Sequence, residues 1–304
     1  MNPTLIYPAK IGKPAFQAIM QSADFTVMGN TSRGIFLSIA DQRMIFLSRE
    51  MYRGPLSINI PGMHSVLDEI PLRETGEVEK GVIRFASSPI EIECSQLEPW
   101  SALSDWSPID PRLHLGKHDR FGRQISNFLS MVTGDVENEL IISVLSEIEG
   151  GEYPTRPDTG NETGMQLHLM AEGLRSHNIA SIVEAAYFFA GRGRGLTPSG
   201  DDFLLGCVYA IFMLQRGLSP EFLPIVDTVV NIVKRRSTII SGSLIECAAF
   251  GEIDERLGKA FQAMLDEYSP SELIITGLRS WGSSSGMDTA AGMGLGLSCL
   301  LEFK

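Results

Sequence analysis

Two adjacent carboxylates, Asp201 and Asp202, close a run of glycines and hydroxyls that reads Gly191-Arg192-Gly193-Arg194-Gly195-Leu196-Thr197-Pro198-Ser199-Gly200-Asp201-Asp202. Neighbouring carboxylates serve three chemistries: they ligate a metal, accept a proton as a general base, or grip a substrate amide or ammonium group. Glycine adopts backbone angles that other residues avoid, and it lets a ligand approach the main chain closely. Ser199 or Asp201 is placed to cap the helix that follows, whose first amide N–H groups lack internal partners. Such a helix start attracts anions, because free donors and the positive end of the dipole point the same way. A plain corner between helices needs one capping oxygen. Four oxygen-bearing side chains within six residues exceed that need, and the excess marks a ligand-binding loop.

The design recurs late in the chain, in Gly282-Ser283-Ser284-Ser285-Gly286-Met287-Asp288-Thr289-Ala290-Ala291-Gly292. Ser199 to Gly206 and Ser285 to Gly292 both read Ser-Gly-x-Asp-x-x-x-Gly, and both open an apolar stretch. The glycine four positions beyond each Asp lies one turn later on the same helix face, where it permits close helix–helix packing. Two helix starts of one design are expected to converge on a single small anionic substrate, with Asp202 and Asp288 flanking it. A third segment, Lys234-Arg235-Arg236-Ser237-Thr238, sets two guanidinium groups beside two hydroxyls. It reads either as an anion cradle or as a basic helix end followed by a Ser/Thr cap. The candidates are therefore Asp201, Asp202 and Asp288 for catalysis, and Gly193, Gly195, Thr197, Ser199, Gly200, Arg236, Ser237, Thr238, Ser285 and Gly286 for substrate binding. No cofactor is firmly implied. A metal held by these oxygens would be a hard ion, Mg²⁺ or Mn²⁺.

The periodicity around these loops is helical. From Arg120 to Phe303, nine stretches carry apolar residues at three- and four-residue spacing, among them Ile179–Ala190, Asp202–Gln215 and Asp288–Phe303. The run from Gly150 to Gly164, with two prolines and four glycines, reads as a loop and a candidate flap. Upstream the period is two. Six short segments between Phe25 and Cys94, rich in branched and aromatic residues, read as strands, with turns at Gly29-Asn30 and Pro61-Gly62. The expected fold is α+β: a β-rich domain over 1–115, an antiparallel sheet or small barrel, then an α-helical domain over 116–304 that carries the loops.

Of 304 residues, 43% are hydrophobic and 20% charged, the proportions of a folded protein. A net charge of −12 argues against nucleic-acid or anionic-membrane partners. It leaves room for a small anion held by a local cluster of donors. Four scattered cysteines show no metal-type spacing, and Met1 to Lys13 lacks a long apolar core, so a cytoplasmic setting is expected. His114 and His118 stand four apart without an acidic residue to complete a metal motif. They read as surface or capping residues, and His168 and His177 as structural ones.

Gly195-Leu196-Thr197-Pro198-Ser199-Gly200-Asp201-Asp202, with Ser285-Gly286-Met287-Asp288, resembles the signature of the AllH-like proteins. The resemblance lies mainly in the helical half. It implies a subunit of a multi-subunit oxamate carbamoyltransferase of allantoin breakdown, which converts oxalurate and phosphate to oxamate and carbamoyl phosphate. Other protein subunits are then the expected partners. Two positions depart from the family pattern: Arg194 stands where Pro is frequent, and Ser283 where His is frequent. The first adds a positive charge and the second removes an imidazole. The residues also admit a Mg²⁺-dependent phosphoryl-transfer or hydrolytic enzyme using Asp201, Asp202 and Asp288, or a non-catalytic regulatory or scaffold subunit.

Overall fold

Branched and aromatic side chains at alternate positions build the amino-terminal part into one sheet. Ile35, Leu37 and Ile39 point inward from one strand, Ile83 and Phe85 from another, Ile90 and Ile92 from a third. The computed structural model describes residues 3–39, 43–62, 64–109, 118–134, 138–150, 162–215, 220, 223–266 and 270–301. They form two compact units, one of Met1–Asp105 with Glu252–Glu255, the other of Trp106–Gly251 with Arg256–Lys304.

In the first unit the chain runs β1 (Thr4–Ile6), β2 (Lys10–Ile11), α1 (Lys13–Ile19), β3 (Ala23–Thr31), β4 (Gly34–Ile39), β5 (Arg43–Ser48), β6 (Ser57–Asn59), α2 (His64–Asp68), β7 (Thr75–Glu79), β8 (Val82–Phe85), β9 (Ile90–Glu93) and α3 (Ala102–Asp105). The strands pair in the order β1-β9-β8-β7-β3-β4-β5-β6-β2, a curled sheet of nine strands. Helix α1 lays Ala15, Ala18 and Ile19 into its core. Two features correct the purely antiparallel expectation: β1 runs parallel to β9, and β5 parallel to β6. The turn placed at Gly29-Asn30 also moves, since both residues lie inside β3 beside a register shift at Val27/Gly29. Strand β7 escapes the periodicity because Val78 is its one buried side chain. The return segment Glu252–Glu255 joins this unit through Glu252, which accepts from Ser101 Oγ and the Ala102 N–H, and through Glu255, which accepts from Arg53.

The second unit is helical: α4 (His118–Thr133), α5 (Glu139–Glu149), α6 (Glu162–Ser176), α7 (Ile179–Phe189), α8 (Ser199–Leu214), α9 (Pro224–Arg236), α10 (Ile239–Ala248), α11 (Glu255–Leu265), α12 (Glu272–Arg279) and α13 (Ser285–Leu301). Helices α8 and α13 are buried on nearly every side, as helices apolar all round must be. They pack along one another, with α4, α5 and α6 against α13 and α7, α9 and α10 against α8. Among the described residues no helix is long and apolar enough to cross a membrane. His114 and most of the Gly150–Gly164 run lie outside the described residues, as does the side chain of His118.

Candidate functional site

The close approach of α8 and α13 follows from glycine. A Cβ on Gly206 would overlap the Thr289 carbonyl oxygen, and one on Gly292 would overlap that of Phe203. Each glycine receives the carbonyl of the residue just after the other motif's aspartate, so the two helices cross in a reciprocal, pseudo-two-fold manner. The likeness continues upstream. The Arg192 N–H donates to the Phe189 carbonyl and the Arg192 carbonyl accepts from the Gly200 N–H. In the same way the Trp281 N–H donates to Leu278 and the Trp281 carbonyl accepts from Gly286. Cβ atoms on Gly200 and Gly286 would strike the carbonyls of Phe189 and Leu278 respectively. The repeat therefore comprises two helix–loop–helix units, α7–α8 and α12–α13. The anchored span from carbonyl to N–H is eight residues in the first and five in the second.

These anchors and the turns beside them engage several of the first-turn amides expected to stand free for an anion. Gly200 donates to Arg192 at 2.9 Å, Asp201 and Asp202 to Pro198 at 2.9 and 3.1 Å, Gly286 to Trp281 at 2.9 Å and Asp288 to Ser284 at 2.9 Å. The capping expectation changes too. Pro198 occupies the N-cap position of α8, and neither Ser199 nor Asp201 caps it.

Asp201 instead acts as a clasp. Its Oδ1 accepts from the Gly191 N–H at 2.7 Å, and its Oδ2 accepts from the Ser237 hydroxyl. Gly191 can turn the chain here because it adopts a φ of 77°. Thr238 caps α10 by accepting from the Ser241 N–H at 3.1 Å, and it donates to the Leu196 carbonyl at 2.8 Å. Ser237 and Thr238 thus tie the end of α9 and the start of α10 to the glycine-rich loop. The Arg236 guanidinium lies 5.6 Å from the Tyr187 ring centroid and is exposed, as are Gly193, Arg194 and Gly195. With both Asp201 oxygens engaged, the three aspartates do not form a metal-type grouping. The grouping with that spacing among the described residues is Glu147, His168 and Glu172. There Arg175 already donates to Glu147 at 2.6 Å and to Glu172 at 3.0 Å.

Asp202 and Asp288 come together where the helices begin. Each is 2% exposed. The Thr197 and Ser285 hydroxyls meet at 3.1 Å, joining the two turns. The hydroxyls cross over: Asp202 interacts with Ser285 of the other motif, and Asp288 with Ser199. Burial raises the Asp202 pKa well above the ordinary carboxylate range, with the charges of Asp288 and Asp201 adding to the rise and the hydroxyls of Ser285 and Thr197 opposing it. Burial raises Asp288 as well, against Asn138, Ser284 and Ser199. Asp202 Oδ2, Asp288 Oδ2 and Thr289 Oγ1 are buried without a hydrogen-bond partner.

Asn138 enters the site unannounced by the sequence patterns. Its Oδ1 caps α5 by accepting from the Ile141 N–H at 2.9 Å, while its Nδ2 donates to Asp288 Oδ1 at 2.7 Å. An Asn ahead of an apolar helical run signals the cap. Nothing local signals the second bond, which spans 150 residues of chain.

Residues 189–297, which hold both turns, match the model of the family described as oxamate carbamoyltransferase subunit AllH, and this match supports an AllH-like family. No curated protein and no solved structure matches the chain.

Proposed function

We propose that this chain is a subunit of a cytoplasmic oxamate carbamoyltransferase-type complex, and that it binds a small carboxylate- or phosphate-bearing substrate where α8 and α13 begin. The family match over both turns supports the reading. The observation that carries it is the meeting of Thr197 and Ser285 hydroxyls at 3.1 Å beside two buried aspartates. In the transfer, a phosphate oxygen bonds to the carbamoyl carbon while the bond from that carbon to the oxamate nitrogen breaks, and the nitrogen takes up a proton. Negative charge gathers on the carbamoyl oxygen, and preplaced donors stabilise it. Thr197 and Ser285 supply hydroxyl donors, and Arg236 with the exposed Gly193–Gly195 backbone offers the anion a docking edge. Asp202 or Asp288 orients the amide nitrogen or exchanges its proton, with Asp201 positioning the loop beside them.

Titration of the chain with oxamate, phosphate and carbamoyl phosphate tests this. The double variant Thr197→Val with Ser285→Ala is expected to lose about fivefold or more in affinity, since two hydrogen bonds contribute about 0.5–1.5 kcal/mol each. If the wild-type chain binds none of the three, alone or with its companion subunits, while still assembling with them, the scaffold reading replaces this one.

A further inference from the structure

Away from the two turns, α5 and α6 bring a metal-ligating set of side chains together. His168 and Glu172 stand four apart on α6 and therefore share one face of that helix. Glu147 meets them from the last turn of α5, where the negative end of the helix dipole disfavours a carboxylate. Its side chain is nonetheless only 5% exposed, whereas those of His168 and Glu172 are more than half exposed. A buried acid at that end of a helix calls for positive charge beside it. Arg175 answers through a single nitrogen: its Nη1 donates to Oε1 of Glu147 at 2.6 Å and to Oε1 of Glu172 at 3.0 Å. The other oxygen of Glu147, Oε2, lies 3.1 Å from His168 Nδ1.

That division of the carboxylate oxygens decides the chemistry. An ion pair with Arg175 accounts for the Oε1 contacts and leaves the imidazole without a part in it. Ligand atoms about 2.0–2.2 Å from a metal lie about 3 Å from one another, a spacing that Nδ1 and Oε2 already hold as a hydrogen bond in the ion-free chain. A ligand atom from each of the three residues falls within 4.8 Å of the others, and the exposed Glu172 side chain closes the remaining gap by changing rotamer. Arg175 then holds both acids from behind, as hydrogen-bond partners of metal ligands do. Imidazole nitrogen suits zinc-like ions, whereas oxygen alone suits Mg²⁺ or Ca²⁺. We infer that Glu147, His168 and Glu172 form a site for a divalent transition ion of the Zn²⁺ type, with water completing its coordination, which clasps the end of α5 to the middle of α6. The site uses none of the residues at the two helix starts and stands whether or not the proposed function does.

Calorimetric titration of the full chain, first stripped with EDTA, with Zn²⁺ and separately with Mg²⁺ provides the test. One Zn²⁺ per chain is expected, bound at least about tenfold more tightly than Mg²⁺, and Co²⁺ in its place should give a visible absorption band. His168→Ala and Glu172→Gln alter exposed side chains and should leave the fold intact. Each is expected to weaken Zn²⁺ binding by at least about tenfold and to remove the Co²⁺ band, since loss of even an outer partner changes affinity about 10–100-fold. Asp202→Asn should leave both readings as in the wild type. Absence of Zn²⁺ binding would overturn the inference, as would binding that survives both α6 substitutions or that Asp202→Asn abolishes instead. Equal affinity for Zn²⁺ and Mg²⁺ would also overturn it, because the imidazole would then take no part.

Discussion

At the scale of single residues, Asp202 shows how burial separates function from stability. Its carboxyl is held well above the ordinary range of about 3.9, by burial first and by neighbouring negative charge second. Between the unfolded and folded values the native state binds the proton more strongly, so stability falls as pH rises through that window. Asp202→Asn removes the titration. It is expected to raise Tm at pH 7 by at least about 2 °C, roughly 1 kcal/mol for a unit of this size, and to leave it near wild type at pH 4. A lowered Tm at pH 7 would contradict the raised carboxyl. Asn138 has the opposite profile. Asn138→Ala removes a helix cap and should cost about 0.5–2 kcal/mol. Asn138→Ser restores a capping oxygen without an amide that reaches Asp288. It should recover most of the stability but not oxamate affinity, which denaturant unfolding and titration together would reveal. Local chemistry made Asp202, Asp288, Thr197 and Ser285 legible in the sequence. Residue type alone marks Asp201, Ser237 and Thr238 as candidates, and in the structure their oxygens hold the loop. Residue type cannot distinguish an oxygen facing a ligand from one facing a neighbouring N–H.

At the scale of elements, the controlling contacts are between a missing side chain and a backbone carbonyl. Gly206→Ala and Gly292→Ala each force α8 and α13 apart and are expected to cost more than about 3 kcal/mol, beyond ordinary overpacking. Gly122→Ala is the contrast. A Cβ there meets only the Ile148 side chain at an ordinary 3.7 Å, so the better helix propensity of Ala should stabilise by up to about 1 kcal/mol. Chemical denaturation of the three variants checks the order. The Ser-Gly-x-Asp-x-x-x-Gly pattern announced this pairing because glycine spacing maps directly onto one helix face. The matching hydrogen bonds of Arg192 and Trp281 were hidden, since main-chain partners leave no trace in side-chain type. Strand β7 and helix α12 were hidden for a related reason: Val78 alone, or Ile275 and Leu278 alone, are too few buried residues to establish a period.

At the scale of the molecule, the four thiols report on the two compact units separately. Cys94 belongs to the first, and Cys207, Cys247 and Cys299 belong to the second; all four are buried and free. Burial pushes the Cys94 thiol up to about 12 and raises Cys207 further. Little reactive thiolate is then present at pH 8. The native chain is expected to resist thiol reagents over minutes and, as denaturant rises, to label in steps of one and three thiols. Labelling of all four at a single midpoint would mean that the units open together. The order of a period-two region followed by a helical one was legible from composition and spacing. The return of Glu252–Glu255 to the first unit was not, because four residues carry no periodicity of their own.

The unequal spans of the repeat, eight residues against five, have a consequence for how such a protein diverges. The helices fix the crossing, and the two connectors differ in length while their ends keep matching anchors. Lengthening one connector alone gives a nearly symmetric helix crossing a distinct front and back. Descendants of a common ancestor can thereby acquire new preferences through a handful of insertions at one rim, without disturbing the inherited frame beneath it.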